Sequence, residues 1–424
     1  MAEEHAPQLW YMTHSTGLEE EPFAATAIRF PFTTPEFAPL CSSRDTISIF
    51  VRMLNIEQDF HTVEGEGEYS YAKNSRRQEM ILLESIPMLE NAIRKVLETL
   101  VVKTMTIADL GCSSGPNTLL FVSSLIDITT EQCSKDVECD PMELMIFLND
   151  RPTNDFNQVF RSLENLKKGT SDQKRNTPLF YHISGLPKSY YKRLLPRESV
   201  HLFHSSSSLH WRSQVPEVLE ATRDVLLDKD NIYISKTTTS FVVKCYREQF
   251  NKDFSTFLKL RHEELVYGGK MVLTFVGRKD EDVYNGELNK FFDLLAMSLR
   301  SLVTKGLVER EKLDSFNIPF YGPSIAEVKE IVVQSHMFEL DHIKLFETNW
   351  DPYDDTEGDD VHDSARSGIN VSKFTRAGLE PLIAGHFGET ILDALFTEYA
   401  CFVSKHLEKE KTKFAIIAMS LTKV

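Results

Sequence analysis

The sequence predicts an α/β fold with a doubly wound, mostly parallel sheet, and three observations support this. Short apolar runs alternate along the chain with longer segments of helical periodicity. The first run, MTIADLGC, is followed by a Gly/Ser/Pro turn and then by an apolar helix, which is the order that opens a nucleotide-binding βα unit. The 424 residues, 42% of them hydrophobic, are enough to cover both faces of such a sheet.

The spacing of apolar residues then predicts each element in turn. A helix over 78–100 comes first, since its apolar residues recur at nearly helical spacing. The glycine turn lies between a strand at 105–112 and a helix at 117–128, and a second strand follows at 142–150. Later segments predict strands at 199–204, 232–235, 271–277, 338–346 and 414–421, and helices at 249–265 and 289–304.

Composition also divides the chain. Residues 1–52 contain a proline-rich stretch without periodicity, so we expect an irregular or disordered extension there and one domain over 53–424. Helical segments mainly in 280–335 and 350–407 exceed what the sheet needs. They predict a helical cap that covers a ligand.

Charge and cysteine content exclude several classes of protein. The 47 basic and 63 acidic residues give a net charge of −16, which disfavours nucleic acid and anionic membrane surfaces as partners. The six cysteines form no CxxC pair, which argues against a zinc site and a disulfide scaffold. No apolar run approaches the roughly 20 residues of a membrane span, and MAEEHAPQLW resembles no targeting signal. We therefore expect a cytosolic protein.

The glycine turn from Asp109 to Asn117 predicts a nucleoside-like ligand. Gly111 and Gly115 let the backbone approach a ligand closely. The glycine spacing of dinucleotide-binding enzymes is absent, and an acidic strand end suits S-adenosylmethionine, which carries a sulfonium and an ammonium group and no phosphate. The alternative is an ordinary turn between a strand and a helix.

Two further strand ends carry polar groups to the same edge of the sheet. Asp150 ends the second strand and could accept both ribose hydroxyls of a nucleoside, although a helix cap is the alternative. The segment HSSSSLHW, which ends at Trp211, follows a later strand. A nucleophilic Ser/His pair is conceivable there, but the G-x-S-x-G turn is missing, and Trp211 could simply pack in the core.

Six segments together resemble the plant SABATH methyltransferases over residues 53–424. They are GEGEYSYAKNSRRQ, IADLGCSSGPNTL, FLNDRPTNDFN, GLPKSYYKRLLP, HSSSSLHWRSQVPE and LDSFNIPFYGPS. The resemblance implies a Rossmann-like class I methyltransferase fold whose last strand, here within KFAIIAMSL, is antiparallel. It also implies transfer of a methyl group from S-adenosylmethionine to a small carboxylic acid such as salicylate, benzoate, anthranilate or jasmonate, or to a ring nitrogen of a purine alkaloid. Homodimers are common among such proteins.

The resemblance assigns roles to individual residues. Positions that contact the cofactor are matched by Tyr71, Ser75, Asp109, Cys112, Asn117, Asp150, Ser189, Tyr190 and Ser206, and Arg151 adds a charge near the adenine edge. Gln78 and Trp211 match the two donors that hold the acceptor carboxylate. The acceptor pocket is matched by Ser207, His210, Val276, Phe292 and Tyr321, and a magnesium site by Asp228, Asp314, Phe316 and Asn317.

Four departures from the family pattern bear on the substrate. Ser207 replaces a common Tyr, and Phe292 replaces the Trp of many benzenoid-specific members. Arg151 replaces a Leu, and Thr153 a common Gly. These changes leave the cofactor prediction intact and leave the acid open between benzenoid and aliphatic.

The sequence thus predicts an esterifying methyltransferase and keeps alternatives from other classes. A carboxylic acid is already ionised at neutral pH, so the reaction needs positioning and no general base. The alternatives are a nitrogen methyltransferase of the same family, a non-catalytic carboxylate-binding relative and an NAD-dependent oxidoreductase.

Overall fold

The computed structural model describes most of the chain after residue 60. The described residues are 61–100, 103–135, 142–164, 166, 179–216, 219, 230–354, 358 and 360–424. The predicted extension, residues 1–52, lies outside them. All elements below belong to the unit Met53–Val424.

Helices and strands alternate through the first two thirds of this unit. The described helices are α1 Tyr71–Asn74, α2 Arg76–Thr99, α3 Pro116–Lys135, α4 Phe156–Leu163, α5 Ser240–Glu264, α6 Glu287–Thr304, α7 Arg310–Asp314, α8 Ile325–Ser335, α9 Ser364–Phe387 and α10 Leu392–Leu407. The described strands are β1 Thr104–Leu110, β2 Glu143–Asp150, β3 Phe180–Pro187, β4 Val200–Ser206, β5 Leu265–Gly277, β6 Phe338–Asn349 and β7 Lys413–Lys423.

Within the described residues, the seven strands form one sheet in the order β3-β2-β1-β4-β5-β7-β6. Strands β1 to β5 pair in parallel, whereas β7 lies antiparallel to both β5 and β6. This confirms the predicted mostly parallel sheet with an antiparallel last strand. The strand order reverses between β1 and β4, and ligands of such folds bind at the carboxyl ends of the strands next to this reversal.

Apolar side chains cover both faces of the sheet. Along β5, Leu273 packs into one buried cluster and its neighbour Val272 into the other, because successive side chains of a strand point to opposite faces. Helix α2 buries Leu89 and Ile93 against the second cluster. The near-continuous apolar sequence of β5 follows from this two-sided burial.

The prediction of a strand at 232–235 is wrong. These residues are buried, but the carbonyl of Ile232 accepts from the backbone N–H of Ile318 at 2.8 Å. The carbonyl of Ile234 accepts from Asn289 Nδ2 at 2.7 Å. An apolar loop whose polar backbone groups are satisfied by another loop and a side chain has the same composition as a buried strand.

Strand β3 was not predicted from the sequence. Its side chains are only partly buried, and Phe180 at its start is exposed. Gly185 and Pro187 lie within it, and both residue types are uncommon in strands except at the edge of a sheet. Since β3 is an edge strand of this sheet, it tolerates them.

The helices after β5 occupy the two segments from which the cap was predicted. Helices α6, α7 and α8 follow β5, and α9 and α10 lie between β6 and β7. None of the helices in the described part of the chain is both long and apolar enough to cross a membrane.

Candidate active site

A cavity lies at the carboxyl ends of the parallel strands. The ends of β1, β2, β4 and β5, with the residues that follow them, contribute Gly111, Ser113, Asp150, Arg151, Thr153, Asn154, Ser207, Ser208 and Val276. Helices α1 and α2 contribute Tyr71, Arg77, Gln78 and Ile81, and the segments after β3 and β4 contribute Lys188, Ser189, Tyr190, Tyr191, His210 and Trp211. Leu288, Phe291, Phe292, Phe374, Thr375, Gly378 and Leu379 of α6 and α9 line it from the cap segments.

The turn after β1 requires a glycine. Gly111 has a φ of +80°, and a Cβ built on it would lie 2.6 Å from Cβ of Ser208. The N–H groups of Gly111 and Cys112 both donate to the carbonyl of Asn149, at 2.9 and 3.0 Å. The turn is thereby fixed against the end of β2, and its backbone forms part of the cavity wall.

Asp150 is held at the cavity by two backbone donors. Its Oδ2 accepts from the N–H of Ser113 at 2.7 Å and its Oδ1 from the N–H of Arg151 at 2.7 Å. Burial raises the pKa of Asp150, and these two hydrogen bonds oppose the rise. Each carboxylate oxygen keeps a lone pair that can accept a hydroxyl of a ligand.

Ser113 and Ser207 share an unusual combination of features. Both have a φ of +58°, in the left-handed region that non-glycine residues rarely adopt. Both hydroxyls are buried and have no hydrogen-bond partner among the described residues, although both serines line the cavity. Strained backbone with unsatisfied hydroxyls is typical of a site that a polar ligand completes.

Gln78 and Trp211 lie in the same cavity. The side chain of Gln78 lies beside the phenol of Tyr71. Burial raises the pKa of Tyr71, and the contact with Gln78 lowers it. Gln78 Oε1 has no hydrogen-bond partner among the described residues. The indole of Trp211 packs edge-on against Phe320, with ring centroids 5.0 Å apart. Its carbonyl accepts from the hydroxyl of Tyr191 at 2.9 Å, which fixes the residue further.

His210 is neutral in this structure. Its Nδ1 accepts from the backbone N–H of Val276 at 3.2 Å, so the ring proton lies on Nε2. Burial, together with the nearby charges of Arg77 and Arg212, holds the pKa of His210 well below its usual range. The ring stacks on Phe320 with centroids 4.4 Å apart, so it forms a wall of the cavity.

Aromatic side chains form the remaining wall. Phe292 is 3% exposed, and its ring lies 4.9 Å from that of Tyr233, 5.4 Å from that of Phe291 and 5.5 Å from that of Phe320. Phe374 and Phe414 also line the cavity. This half of the cavity is an apolar slot suited to the body of a small organic molecule.

Six of the residues predicted to contact the cofactor or the acceptor do not line the cavity, namely Ser75, Asp109, Cys112, Asn117, Ser206 and Tyr321. Asn117 Nδ2 donates to the carbonyl of Ser75 at 3.1 Å, which joins the turn after β1 to the start of α2. Asp109 Oδ1 lies 2.7 Å from Nδ1 of the buried His204. Neither contact involves a residue that lines the cavity.

Cys112, Ser206 and Tyr321 also lie outside the cavity lining. Cys112 is buried, and burial raises the pKa of its thiol well above the usual value. Ser206 Oγ accepts from the hydroxyl of Thr274 at 3.0 Å. Tyr321 is fully buried and donates from its hydroxyl to Glu327 at 3.0 Å, so it does not line the acceptor slot as predicted.

Several residues of the cavity were not predicted from the sequence. Arg77 directly precedes Gln78, and that position was the available signal. Asn154 donates from Nδ2 to the carbonyl of Ser113 at 3.1 Å and follows Asp150 closely in the sequence. Phe374, Thr375 and Gly378 carry no local signal, because only the folded chain brings α9 to the sheet.

The predicted magnesium ligands can be followed only in part, since Asp228 lies outside the described residues. Asp314 Oδ1 is buried without a hydrogen-bond partner among the described residues, which suits a cation ligand. No group of three or more His, Cys, Asp or Glu side chains that could hold a metal occurs in the described part of the chain. Phe316 and Asn317 could add a carbonyl and an amide oxygen.

The comparisons with known proteins agree on one family. The family model of SAM dependent carboxyl methyltransferases matches residues 57–424, which include every residue that lines the cavity. Benzoate O-methyltransferase of Zea mays is 55% identical over 384 residues, 87% of this chain and 100% of that protein. Inactive anthranilate O-methyltransferase 1 of Zea mays is 53% identical over 379 residues, 87% of this chain and 98% of that protein. The solved structure of loganic acid methyltransferase with SAH has a TM-score of 0.73 at 30% identity and covers 86% of this chain and 98% of that one.

Proposed function

The chain belongs to the SAM dependent carboxyl methyltransferase family, and we propose that its acceptor is a small aromatic acid of about the size of benzoate. S-adenosylmethionine, when bound, supplies an electrophilic methyl group on a sulfonium. One observation carries the choice of acceptor: Gln78 and Trp211 share a single cavity with an apolar slot of phenylalanines. The relative named benzoate O-methyltransferase supports it.

The residues at the turn after β1 fit the cofactor. Asp150 can accept hydroxyls of a ribose, because its carboxylate faces the cavity and is fixed by two N–H groups. Ser113 and Ser207 offer buried hydroxyls that have no hydrogen-bond partner among the described residues. Gly111 lets Ser208 pack directly against the turn, because a Cβ there would lie 2.6 Å from Ser208 Cβ.

Gln78 and Trp211 would orient the acceptor carboxylate. The indole N–H is one donor. The second is Nε2 of Gln78, if the amide group is rotated by 180° so that its Oε1 accepts from the Tyr71 hydroxyl and its Nε2 faces the acceptor. The acceptor arrives ionised, so no residue has to remove a proton. Two neutral donors hold the anion without a counter-charge, which keeps the attacking oxygen nucleophilic.

The aromatic wall would hold the acceptor's ring and exclude water. Phe291 and Phe292 pack edge-on and both line the cavity, and such aromatic walls suit a benzenoid ring. His210 is neutral and held by Val276, so we assign it to the shape of the slot and not to proton transfer. Aliphatic acids and ring nitrogens of heterocycles remain the competing acceptors.

A methyl-transfer assay with labelled cofactor tests the proposal over benzoate, anthranilate, salicylate, jasmonate and xanthine. We expect methyl esters from the benzenoid acids. Because one relative is named inactive, calorimetry of each acid with S-adenosylhomocysteine runs alongside. Binding of an acid without turnover would make the protein a carboxylate-binding relative, and turnover only of xanthine would make it a nitrogen methyltransferase.

A matched pair of variants tests the assigned donor. Trp211→Phe removes the indole N–H and keeps a ring, and we expect kcat/KM for the acid to fall about tenfold or more, since one hydrogen bond to a charged group is lost. Affinity for S-adenosylhomocysteine should persist. Trp350→Phe is the control, because Trp350 is fully buried and does not line the cavity. Equal activities of the two variants would mean that the Trp211 indole does not donate to the acceptor carboxylate.

The remaining predictions concern a metal, a location and an assembly. Magnesium would be bound by Asp314, Asn317, the carbonyl of Phe316 and Asp228, and turnover with and without EDTA tests whether it matters. A cytosolic location is tested by fractionation. A homodimer is tested by light scattering of the purified protein.

A further inference from the structure

Arg77 is a buried cation in the wall of the cavity. It is 7% exposed, and its guanidinium carbon lies 3.9 Å from the ring centroid of Phe374 and 4.1 Å from that of Phe414. Its Nε and Nη1 are buried and have no hydrogen-bond partner in the described part of the chain. The two rings contact the guanidinium, but its Nε and Nη1 hydrogens find no acceptor among the described residues.

No carboxylate of the described residues pairs with Arg77. The groups that act on its charge are the phenols of Tyr71 and Tyr399, and burial lowers the pKa of Arg77 to about 9. The side chain is therefore still cationic at neutral pH. A buried guanidinium without a counter-ion is costly, and bound anions are the usual compensation.

The guanidinium lies at the aromatic slot of the cavity. Its ring partners, Phe374 and Phe414, line the cavity with Phe291, whereas Trp211 packs against Phe320 and His210. Arg77 and Gln78 are neighbours on α2, and successive residues of a helix point about 100° apart. The two side chains can therefore address two different groups of one ligand.

We propose that Arg77 is the binding site for a second anionic group on the acceptor, so that the preferred substrates are aromatic acids with two acidic substituents. This rests on the proposed function. The reacting carboxylate is the less suitable partner, because a cation beside it would stabilise the ground-state anion and repel the approaching sulfonium. A second anionic substituent on the ring would neutralise Arg77 and leave the reacting oxygen to Gln78 and Trp211.

The experiment compares benzoate with the ortho, meta and para benzenedicarboxylates. Calorimetry in the presence of S-adenosylhomocysteine measures binding without turnover, and a methyl-transfer assay follows. We expect at least one dicarboxylate to bind about tenfold or more tightly than benzoate, as a hydrogen-bonded ion pair should. In Arg77→Met this preference should vanish, with a much smaller change for benzoate, and Arg77→Lys should recover part of it.

Two further measurements separate binding from folding. Arg77→Met should bind S-adenosylhomocysteine as the wild type does and should melt at the same or a higher temperature, since removal of an unpaired buried charge is not destabilising. A lower melting temperature together with weaker cofactor binding would make Arg77 structural and overturn the proposal.

The outcomes also distinguish this inference from the proposed function. If benzoate is methylated but no dicarboxylate is preferred, the inference alone is wrong. If Arg77→Met weakens benzoate and the dicarboxylates equally, Arg77 binds the reacting carboxylate, and the inference is again wrong. If no aromatic acid is bound or methylated, the proposed function fails and the inference fails with it.

Discussion

The backbone N–H of Val276 donates to Nδ1 of His210 at 3.2 Å. This contact joins the end of β5 to the segment after β4 and fixes the imidazole as the tautomer with its proton on Nε2. Burial and the two nearby arginines keep the ring neutral. A positively charged His210 would lose the Val276 hydrogen bond and add a further positive charge near Arg77 and Arg212.

Acidification should therefore destabilise the protein in part through His210. The unfolded chain takes up a proton near pH 6.5, whereas the folded pKa is well below that value, so the unfolded state binds more protons in between and stability falls as pH falls. His210→Asn keeps an acceptor for Val276. Between pH 6.5 and 5.5 its unfolding free energy should fall less steeply than that of the wild type, by up to about 1.4 kcal/mol per pH unit. Urea titrations over this range check the difference.

Other histidines contribute to the same slope. Burial also lowers the pKa values of His201, His262 and His406, so these residues keep part of the slope in every variant. If His210→Asn and the wild type show parallel curves, the ring is not held neutral by the fold.

Asp150→Ala should weaken cofactor binding. The variant loses the acceptor of two backbone N–H groups and of the ligand's hydroxyls, so we expect affinity for S-adenosylhomocysteine to fall about tenfold or more. Calorimetry measures it. The control is Asp155→Ala, which removes a helix cap that accepts from Gln158 N–H at 2.8 Å. That change should lower stability by about 1 kcal/mol and leave the affinity unchanged. Equal affinities of the two variants would contradict the ribose role.

The parts of the fold that the sequence predicted are those with a strong two-sided apolar pattern. Strand β7 is a nearly continuous apolar run, because both faces of the sheet are covered. The same apolar pattern led to the wrong prediction of a strand at 232–235. These residues are buried without pairing in the sheet, and a buried loop can have the same composition as a buried strand. Strand β3 lacks the pattern since it lies at an edge of the sheet.

The site could be predicted where it is built from strand ends. Asp150 ends β2 and Ser207 follows β4, and the carboxyl ends of these parallel strands meet at one edge of the sheet. Resemblance to a family does not distinguish a residue that contacts the ligand from one that positions a neighbouring residue. Tyr321 is therefore predicted in the slot, although its hydroxyl donates a hydrogen bond to Glu327. Arg77 was missed because an arginine in an amphipathic helix is ordinarily a solvent-facing residue.

Gly111→Ala should disable the turn after β1. The new Cβ would lie 2.6 Å from Ser208 Cβ at a φ of +80°, so both sterics and backbone conformation oppose it. We expect a loss of about 2 kcal/mol or more in unfolding free energy and no measurable binding of S-adenosylhomocysteine. Gly67→Ala is the matched control, because a Cβ there meets nothing within 4 Å. Thermal melts and calorimetry compare the two variants. A stable Gly111→Ala that binds the cofactor would contradict the close approach of Ser208 to the turn.

Phe292→Leu should change the acceptor and leave the cofactor alone. Phe292 contacts Phe291, Tyr233 and Phe320 in the wall of the slot, so loss of its flat ring opens space beside the acceptor. Phe254→Leu is the control, since Phe254 is equally buried in the core and does not line the cavity. Both variants should lose about 1–2 kcal/mol of stability. Only Phe292→Leu should raise KM for benzoate, by about three- to tenfold, because a ring-sized contact is worth about 1 kcal/mol. Steady-state kinetics at saturating cofactor measure this, and an equal rise in both variants would mean that packing, and not the slot, sets the affinity.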